Sequence, residues 1–176
     1  SLVSIILPSY NSSKFLEESI NSVLNQSYDS WELLIVDDDS TDGSKEIITR
    51  FSKLDDRIKS LFLEKNIGAA KSRNIAIKQS KGKYIAFLDS DDIWVDNKLE
   101  KQILFMKERQ VAFSFTTYQR INENKTKFLK TVRSPKQMTY SSYLKNTIIG
   151  CSTVIIDREK TGDFQMPNIR SSHDMA

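Results

Sequence analysis

Cysteine and histidine are almost absent from this chain of 176 residues, which contains one of each, Cys151 and His173. A single cysteine excludes an internal disulfide framework and a zinc site built from several cysteines. A single histidine argues against a histidine-based metal centre and against a Ser-His-Asp triad. No apolar run approaches the roughly 18 residues that cross a membrane, and residues 1–8 lack the basic flank of a signal peptide. These absences predict a reduced, soluble protein of the cytoplasm.

Glycine and proline are also scarce, with five and three residues, which excludes low-complexity and collagen-like sequences. The 39% of hydrophobic and 28% of charged residues are typical of a globular domain. The length corresponds to one domain, and the sequence contains no linker and no internal repeat. We therefore expect residues 1–176 to form a single domain. Its last twenty residues are irregular and show no stop signal, so we expect the domain to be cut short at its C-terminus.

The charge is unevenly distributed along the chain. Residues 1–100 carry 13 Lys or Arg and 17 Asp or Glu, whereas residues 101–176 carry 13 and 6. One interpretation is an ordinary solvated basic surface. The other is attraction to an anionic partner, such as a phospholipid surface or a polyanionic acceptor. Nucleic acid is disfavoured as a partner, because the basic residues of 120–145 are scattered and form no known binding module.

Strand-like and helical patterns alternate through the first hundred residues. Short apolar runs predict buried strands, and apolar residues at helical spacing predict amphipathic helices between them. This alternation is typical of a mostly parallel sheet with helices on both faces, which binds ligands at the carboxyl ends of its strands. The predicted strands are 3–7, 31–36, 58–63 and 84–88, and the predicted helices are 15–24, 44–54, 69–79 and 99–107.

The pattern changes after residue 110. Residues 111–118 and 148–156 read as strands, and residues 139–145 as a short helix. The polar and basic stretch 119–138 predicts a hairpin or a mobile loop, since it can bury little apolar surface.

Two acidic clusters, residues 37–42 and 89–92, directly follow predicted buried strands. Each cluster alone is consistent with helix capping, and we assign that role to Asp42 and Asp92. Together they would crowd like charges at one edge of a parallel sheet, and a hard divalent cation such as Mg²⁺ or Mn²⁺ would compensate them. An EF-hand is excluded by the carboxylate spacing. The P-loop and dinucleotide motifs are absent, so a metal would have to hold a diphosphate.

Four blocks, in order and with matching spacing, resemble those of the family 2 glycosyltransferases, which have the GT-A fold. The likeness extends from residue 3 to about 105, and the late Ser172-His173-Asp174 resembles the family's Glu-Asp pair, with His173 in place of the Glu. A second departure is Asp39, which stands where the family usually has Gly. The four blocks are Pro8-Ser9-Tyr10-Asn11, residues 35–44, Asn66-Ile67-Gly68 with Lys71-Ser72-Arg73-Asn74, and Phe87-Leu88-Asp89-Ser90-Asp91-Asp92.

The resemblance implies a Rossmann-like α/β fold and a role for each matching residue. Residues 1–105 would bind the nucleotide sugar, and residues 106–176 would form the acceptor side. Asp91 would bind the Mn²⁺ or Mg²⁺ that bridges the two phosphates, and Asp174 would be the catalytic base. The nucleotide-binding residues would be Pro8 and Tyr10 around the base, Asp38 accepting a hydrogen bond from it, Asn66 and Lys71 beside base and ribose, and Asp89 and Ser90 near the ribose.

The implied activity is an inverting transfer of a sugar from a nucleoside-diphosphate sugar, of the UDP type, to a hydroxyl group of a saccharide or lipid-linked acceptor. Such a reaction belongs to cell-surface polysaccharide synthesis, in the cytoplasm and at the inner face of the membrane, with peripheral membrane contact. Three alternatives stay open: a receiver-like signalling domain, a nucleotidyltransferase, and a nucleotide-binding domain without catalysis. Against the first, this chain lacks the acid pair that a receiver domain has after its first strand. Against the second, it lacks the Gly-rich basic loop with which a nucleotidyltransferase opens.

Overall fold

The computed structural model describes residues 1–122, 127–139, 141 and 148–167. The predicted alternation of strands and helices is confirmed through residue 109. The elements are β1 Val3–Ser9, α1 Ser13–Leu24, β2 Trp31–Asp37, α2 Ser44–Leu54, β3 Ile58–Phe62, α3 Ala69–Gln79, β4 Tyr84–Phe87, α4 Lys98–Arg109, β5 Phe113–Ser114, β6 Tyr118–Ile121, β7 Phe128–Val132, β8 Ile155–Asp157 and α5 Arg158–Thr161.

Six strands form the central sheet in the order β3-β2-β1-β4-β8-β5. The first four are parallel to one another, and β8 runs antiparallel to both β4 and β5. The chain winds outward from β1 to β3 on one side and continues through β4 on the other. The strand order therefore reverses between β1 and β4, which is where open α/β sheets bind their ligands.

Helices cover both faces of the sheet. Alternate side chains of β1 point to opposite faces, and both sets are buried, which explains its continuous apolar run. One face packs against α1, α2 and α4 through residues such as Ile20, Phe51 and Ile103. The other face packs against α3 through Ala76 and Ile77. The mostly parallel sheet with helices on both faces is thus the predicted architecture.

The region after residue 110 departs from the predicted strands. The expected strand 111–118 is reduced to the two residues of β5, and a 3-10 turn at Cys151–Thr153 interrupts the expected strand 148–156. The predicted hairpin is confirmed, since β6 and β7 pair into a separate two-stranded ribbon. The helix expected at 139–145 lies almost wholly outside the described residues. Within the described ranges, no helix is both long and apolar enough to cross a membrane.

Candidate functional site

The carboxyl ends of β2 and β4 lie on either side of the end of β1. The backbone N–H of Asp38, just after β2, donates to the Ser9 carbonyl at 2.8 Å, and the N–H of Leu88, just after β4, donates to the Ile6 carbonyl at 3.0 Å. Both acidic clusters therefore begin at the same edge of the sheet. This is the arrangement that the sequence predicts from two acidic segments behind two buried strands.

Asp38 is almost fully buried and joins the first acidic cluster to the loop before α3. Its two carboxylate oxygens accept hydrogen bonds from the backbone N–H groups of Ile67 and Gly68, both at 2.8 Å. The Asn66 side-chain amide donates to the Asp38 carbonyl at 3.2 Å. Asp38 and Asn66, predicted to lie beside one nucleobase, are thus in direct contact. Each carboxylate oxygen of Asp38 has a further lone pair that can accept a bond.

The backbone explains why the family's glycine position can hold Asp39 in this chain. Asp39 has a φ of 66°, in the left-handed region that glycine enters freely and that Asp tolerates better than most residues. Its carboxylate lies 3.6 Å from the Lys45 ammonium at the start of α2. The extra negative charge is therefore partly compensated within the chain.

Asp42 caps two helices, as predicted. Its carboxylate accepts from the N–H of Ser13 and from the N–H of Ser44, the first residues of α1 and α2, both at 2.9 Å. Partial burial would raise the pKa of Asp42, but the hydrogen bonds from the two serines outweigh it and lower the pKa to about 2. This aspartate therefore has a structural role beside the site.

The remaining predicted nucleotide-binding residues of the amino-terminal half lie around the same edge. Pro8 is buried within β1, and Tyr10, two residues later, has 53% of its surface exposed. Lys71 is exposed on the first turn of α3, which packs against β1 and β2. An exposed aromatic ring and a lysine at a helix N-terminus are suited to a base and an anionic group respectively.

In the second acidic cluster, the two aspartates of the Asp-Ser-Asp block have different surroundings. The Asp89 carboxylate accepts from the Arg73 guanidinium at 2.5 Å, and only 16% of the Arg73 side chain is exposed. Asp91 is exposed, and its carboxylate makes no hydrogen bond or ion pair within the described part of the chain. Ser90, half-buried between them, presents its carbonyl to the Ser19 hydroxyl at 2.8 Å. Asp91 is therefore the aspartate that is available to an external ligand.

Asp92 does not cap a helix, so that prediction is wrong. The next helix, α4, begins six residues later at Lys98 and is preceded by Asn97. Removal of the Asp92 carboxyl from water raises its pKa, a hydrogen bond from Ser152 lowers it, and the charges of Asp89 and Asp91 raise it further. The net upward shift of the Asp92 pKa therefore comes first from desolvation, and the two neighbouring carboxylates add to it.

The described residues contain no group of three or more His, Cys, Asp or Glu side chains that could hold a metal ion unaided. A Mg²⁺ or Mn²⁺ ion that arrives with a diphosphate needs only one or two protein carboxylates, because phosphate oxygens and waters complete its coordination. The exposed Asp91 carboxylate, with the negative charges of Asp89 and Asp92 beside it, fits an ion of that kind.

The sequence did not assign a role to several residues that contact this site. Arg73 falls within the third of the four matching blocks, directly before Asn74, and that position was its only sequence signal. Cys151 lies near the Arg73–Asp89 pair, and burial, opposed by Arg73 and aided by Asp89 and Asp92, raises the pKa of its thiol to about 11. It is therefore protonated at neutral pH.

Ser19 and Ser152 carry no sequence signal. His173 and the predicted base Asp174 lie outside the described residues.

Comparison with known proteins gives one consistent result. The family model described as Glycosyl transferase family 2 matches residues 4–162. The chain is 53% identical over 175 residues to TuaG of Bacillus subtilis (strain 168), named as a teichuronic acid biosynthesis glycosyltransferase, covering 99% of this chain and 69% of TuaG. It is 48% identical over 168 residues to the Escherichia coli UDP-Glc:alpha-D-GlcNAc-diphosphoundecaprenol beta-1,3-glucosyltransferase WfgD, covering 94% of this chain and 64% of WfgD.

The fold agrees with a solved structure. S. aureus TarS 1–349 in complex with UDP-GlcNAc aligns with a TM-score of 0.76 and 27% identity, over 99% of this chain and 51% of that chain. This likeness confirms the predicted GT-A fold. The chain thus spans less than two thirds of WfgD and about half of the TarS chain.

Proposed function

Because this chain belongs to glycosyl transferase family 2, we propose that it carries the donor site of an inverting enzyme that moves a sugar from a UDP-sugar to a hydroxyl group of a lipid-linked saccharide. One observation supports this most strongly: the exposed Asp91 lies in an acidic segment at the sheet edge where the strand order reverses. The names of relatives add support, since WfgD uses UDP-glucose and a diphosphoundecaprenol-linked acceptor, and TarS was solved with UDP-GlcNAc.

In this proposal the nucleotide lies across the end of β1. The exposed Tyr10 ring, after Pro8, offers a face to the base, and Asp38 and Asn66 border it from the neighbouring loop. Lys71 faces the same region from the start of α3. The ribose lies toward Asp89 and Ser90. Residues 1–105 form the donor half, and residues 106–176 contribute to the acceptor side.

Asp91 is the proposed ligand of a Mn²⁺ or Mg²⁺ ion that binds together with the donor. When bound, such an ion stabilises the negative charge of the departing nucleoside diphosphate. Asp91 contributes a hard oxygen ligand, and the neighbouring carboxylates add to the negative potential that attracts the cation. Asp89, held by Arg73, is left to hydrogen-bond the donor through its second oxygen.

Asp174 is proposed as the base that removes the proton from the acceptor hydroxyl as that oxygen bonds to the anomeric carbon. A carboxylate is a weak base near neutral pH, so its effect depends on being positioned within hydrogen-bond reach of the proton. This role rests on the resemblance of residues 172–174 to the family's late acidic pair.

A lipid-linked acceptor would bring the enzyme to the inner face of the cytoplasmic membrane. The β6–β7 ribbon offers a surface for peripheral contact there. Residues 118–136 contain six Lys or Arg and one Glu, and the ribbon exposes 70% of Phe128 and 55% of Leu129. Basic residues together with exposed apolar side chains favour the interface of an anionic bilayer.

The test uses the full-length protein, Mn²⁺, a synthetic GlcNAc-diphosphate lipid, and UDP-glucose, UDP-GlcNAc or GDP-mannose in separate reactions. We expect product by mass spectrometry with a UDP-sugar, loss of product in Asp91→Asn, and wild-type product in Asp56→Asn. Asp56 is a matched control because it is exposed and precedes β3, at the opposite edge of the sheet. Binding of UDP-sugars without any product would favour a non-catalytic binding domain, and the absence of binding would contradict the proposal.

A further inference from the structure

A 3-10 turn formed by Cys151–Thr153 packs against the second acidic cluster. The hydroxyl oxygen of Ser152 accepts a hydrogen bond from the Asp89 backbone N–H at 3.0 Å. Ser152 therefore contacts the acidic segment at its first residue, two positions before Asp91.

The Asp89 N–H points to the same side of the chain as the Phe87 N–H, which donates to the Val154 carbonyl, whereas the Leu88 N–H between them donates to Ile6 of β1. A buried donor without a partner costs about 1–3 kcal/mol. Ser152, which is 8% exposed, supplies the missing acceptor. The Ser152 hydroxyl thus orients the backbone at Asp89, where the chain leaves β4.

The turn that carries Ser152 is itself held from α4 and the loop before it. The Trp94 indole N–H donates to the Ser152 carbonyl at 2.9 Å. The Gln102 amide donates to the Thr153 carbonyl at 2.9 Å, and its oxygen accepts from the Lys98 ammonium at 2.8 Å. All three of these side chains are buried. Ser152 is therefore a fixed point rather than a mobile surface hydroxyl.

A second buried serine contacts the acidic segment from α1. The hydroxyl of Ser19, in α1, lies 2.8 Å from the Ser90 carbonyl and 2.7 Å from the Asp92 carbonyl, and can donate to one of them at a time. Ser19 is fully buried. The segment is thus held by Ser152 through the Asp89 backbone N–H, and by Ser19 through the carbonyl of either Ser90 or Asp92.

We propose that Ser152 and Ser19 are positioning residues of the donor site. Neither needs to touch the donor. Together they fix the backbone on both sides of Asp91, so that its exposed carboxylate meets a cation and a diphosphate without first having to be ordered. This inference rests on the proposed function, because it assigns the two serines to the same site. Beyond that function, we infer that the hydrogen bonds of Ser19 in α1 and of Ser152 in the turn before β8 control the affinity of the site for nucleotide and metal.

The experiment measures UDP binding by calorimetry at a series of Mn²⁺ concentrations, with the full-length protein. We expect Ser152→Ala to weaken UDP binding about tenfold and to raise the Mn²⁺ concentration needed for half-maximal binding, because one lost positioning bond corresponds to about a factor of ten. Ser152→Thr, which keeps the hydroxyl, should recover most of the affinity. Ser19→Ala should weaken binding in the same direction.

Ser22→Ala is the matched control. Ser22 is also buried in α1, but among the described residues its hydroxyl bonds only to the Ser19 carbonyl of the same helix, at 2.7 Å. It should lower the melting temperature slightly without changing UDP or Mn²⁺ affinity. If Ser152→Ala and Ser19→Ala lower the melting temperature and leave UDP and Mn²⁺ affinity unchanged, the serines are merely structural and the inference is wrong. A wild-type protein that binds no UDP would instead overturn the proposed function and this inference with it.

Discussion

The guanidinium of Arg73 lies 2.5 Å from one carboxylate oxygen of Asp89, and this pair joins α3 to the end of β4. Arg73 is mostly buried, so removing its charge leaves Asp89 without its partner in a partly desolvated place. We expect Arg73→Gln to lower UDP affinity by about tenfold or more. The measurement is calorimetric titration with UDP in Mn²⁺.

Arg50→Gln is the control for this change. Arg50 pairs with Glu17 at 2.7 Å, but about half of each side chain is exposed, and such surface pairs contribute little. Its UDP affinity should equal that of the wild type. Equal affinity in the Arg73 variant would mean that the Asp89 carboxylate is held without the arginine.

The Asp42 carboxylate should stabilise the fold at neutral pH and lose this effect in strong acid. Its folded pKa of about 2 lies below its ordinary 3.8, so its contribution is complete above about pH 4 and is lost as the pH falls toward 2. Asp42→Ala should cost about 1–2 kcal/mol in the free energy of unfolding at pH 7, the usual loss for a helix cap. Urea unfolding at pH 7 and pH 3 measures both effects.

The corresponding change at an exposed aspartate, Asp56→Ala, should leave the free energy of unfolding within about 0.5 kcal/mol of wild type. A loss in Asp42→Ala that stays the same at both pH values would show that the carboxylate charge plays no part in the capping.

The buried Lys98 should make the free energy of unfolding rise as the pH increases above about 7. Burial lowers the pKa of its ammonium from 10.5 to about 7. Between these values the unfolded chain binds one more proton than the folded chain, so the free energy of unfolding rises with pH by up to about 1.4 kcal/mol per unit. Lys98→Met removes this dependence. Its melting temperature should therefore exceed that of the wild type most at pH 6, and the difference should shrink by pH 9. A pH-independent difference would contradict the prediction.

The β6–β7 ribbon should bind anionic membranes. Combining Phe128→Ser with Lys130→Glu should reduce binding to phosphatidylglycerol-containing vesicles by about tenfold, since each basic residue near such a surface contributes about 1 kcal/mol. Co-sedimentation of the protein with the vesicles measures this binding. The matched control, Leu54→Ser with Lys53→Glu on α2, alters an equally exposed apolar and basic pair and should bind as the wild type does. Equal loss in both variants, or binding to neutral vesicles alone, would contradict this role for the ribbon.

The sequence predicted the parts of the fold that depend on local periodicity. The apolar runs of β1, β2 and β4 are buried on both faces, so they are recognisable without any partner. Their order places the acidic residues that follow them at one edge. Asp38 and Asp91 could therefore be assigned to one region before any contact was known.

The parts that depend on distant partners could not be predicted. β8 runs antiparallel between β4 and β5, and its pairing with residues about 70 and 40 positions earlier has no local signature. The apolar run 148–156 resembles one strand, but hydrogen bonds from Trp94 and Gln102 hold its centre as a turn. The hydroxyl of Ser152 gains its role only from that turn.

UDP binding as a function of Mn²⁺ concentration, compared between Asp91→Asn and Asp174→Asn, tests the central claim most directly. The account predicts that Asp91→Asn loses the Mn²⁺-dependent part of UDP binding, because it lacks a carboxylate ligand for the cation. Asp174→Asn should bind UDP as the wild type does while its transfer rate falls by about 10²–10⁴-fold, the usual loss of a general base. Undiminished Mn²⁺-dependent binding in Asp91→Asn would contradict the account.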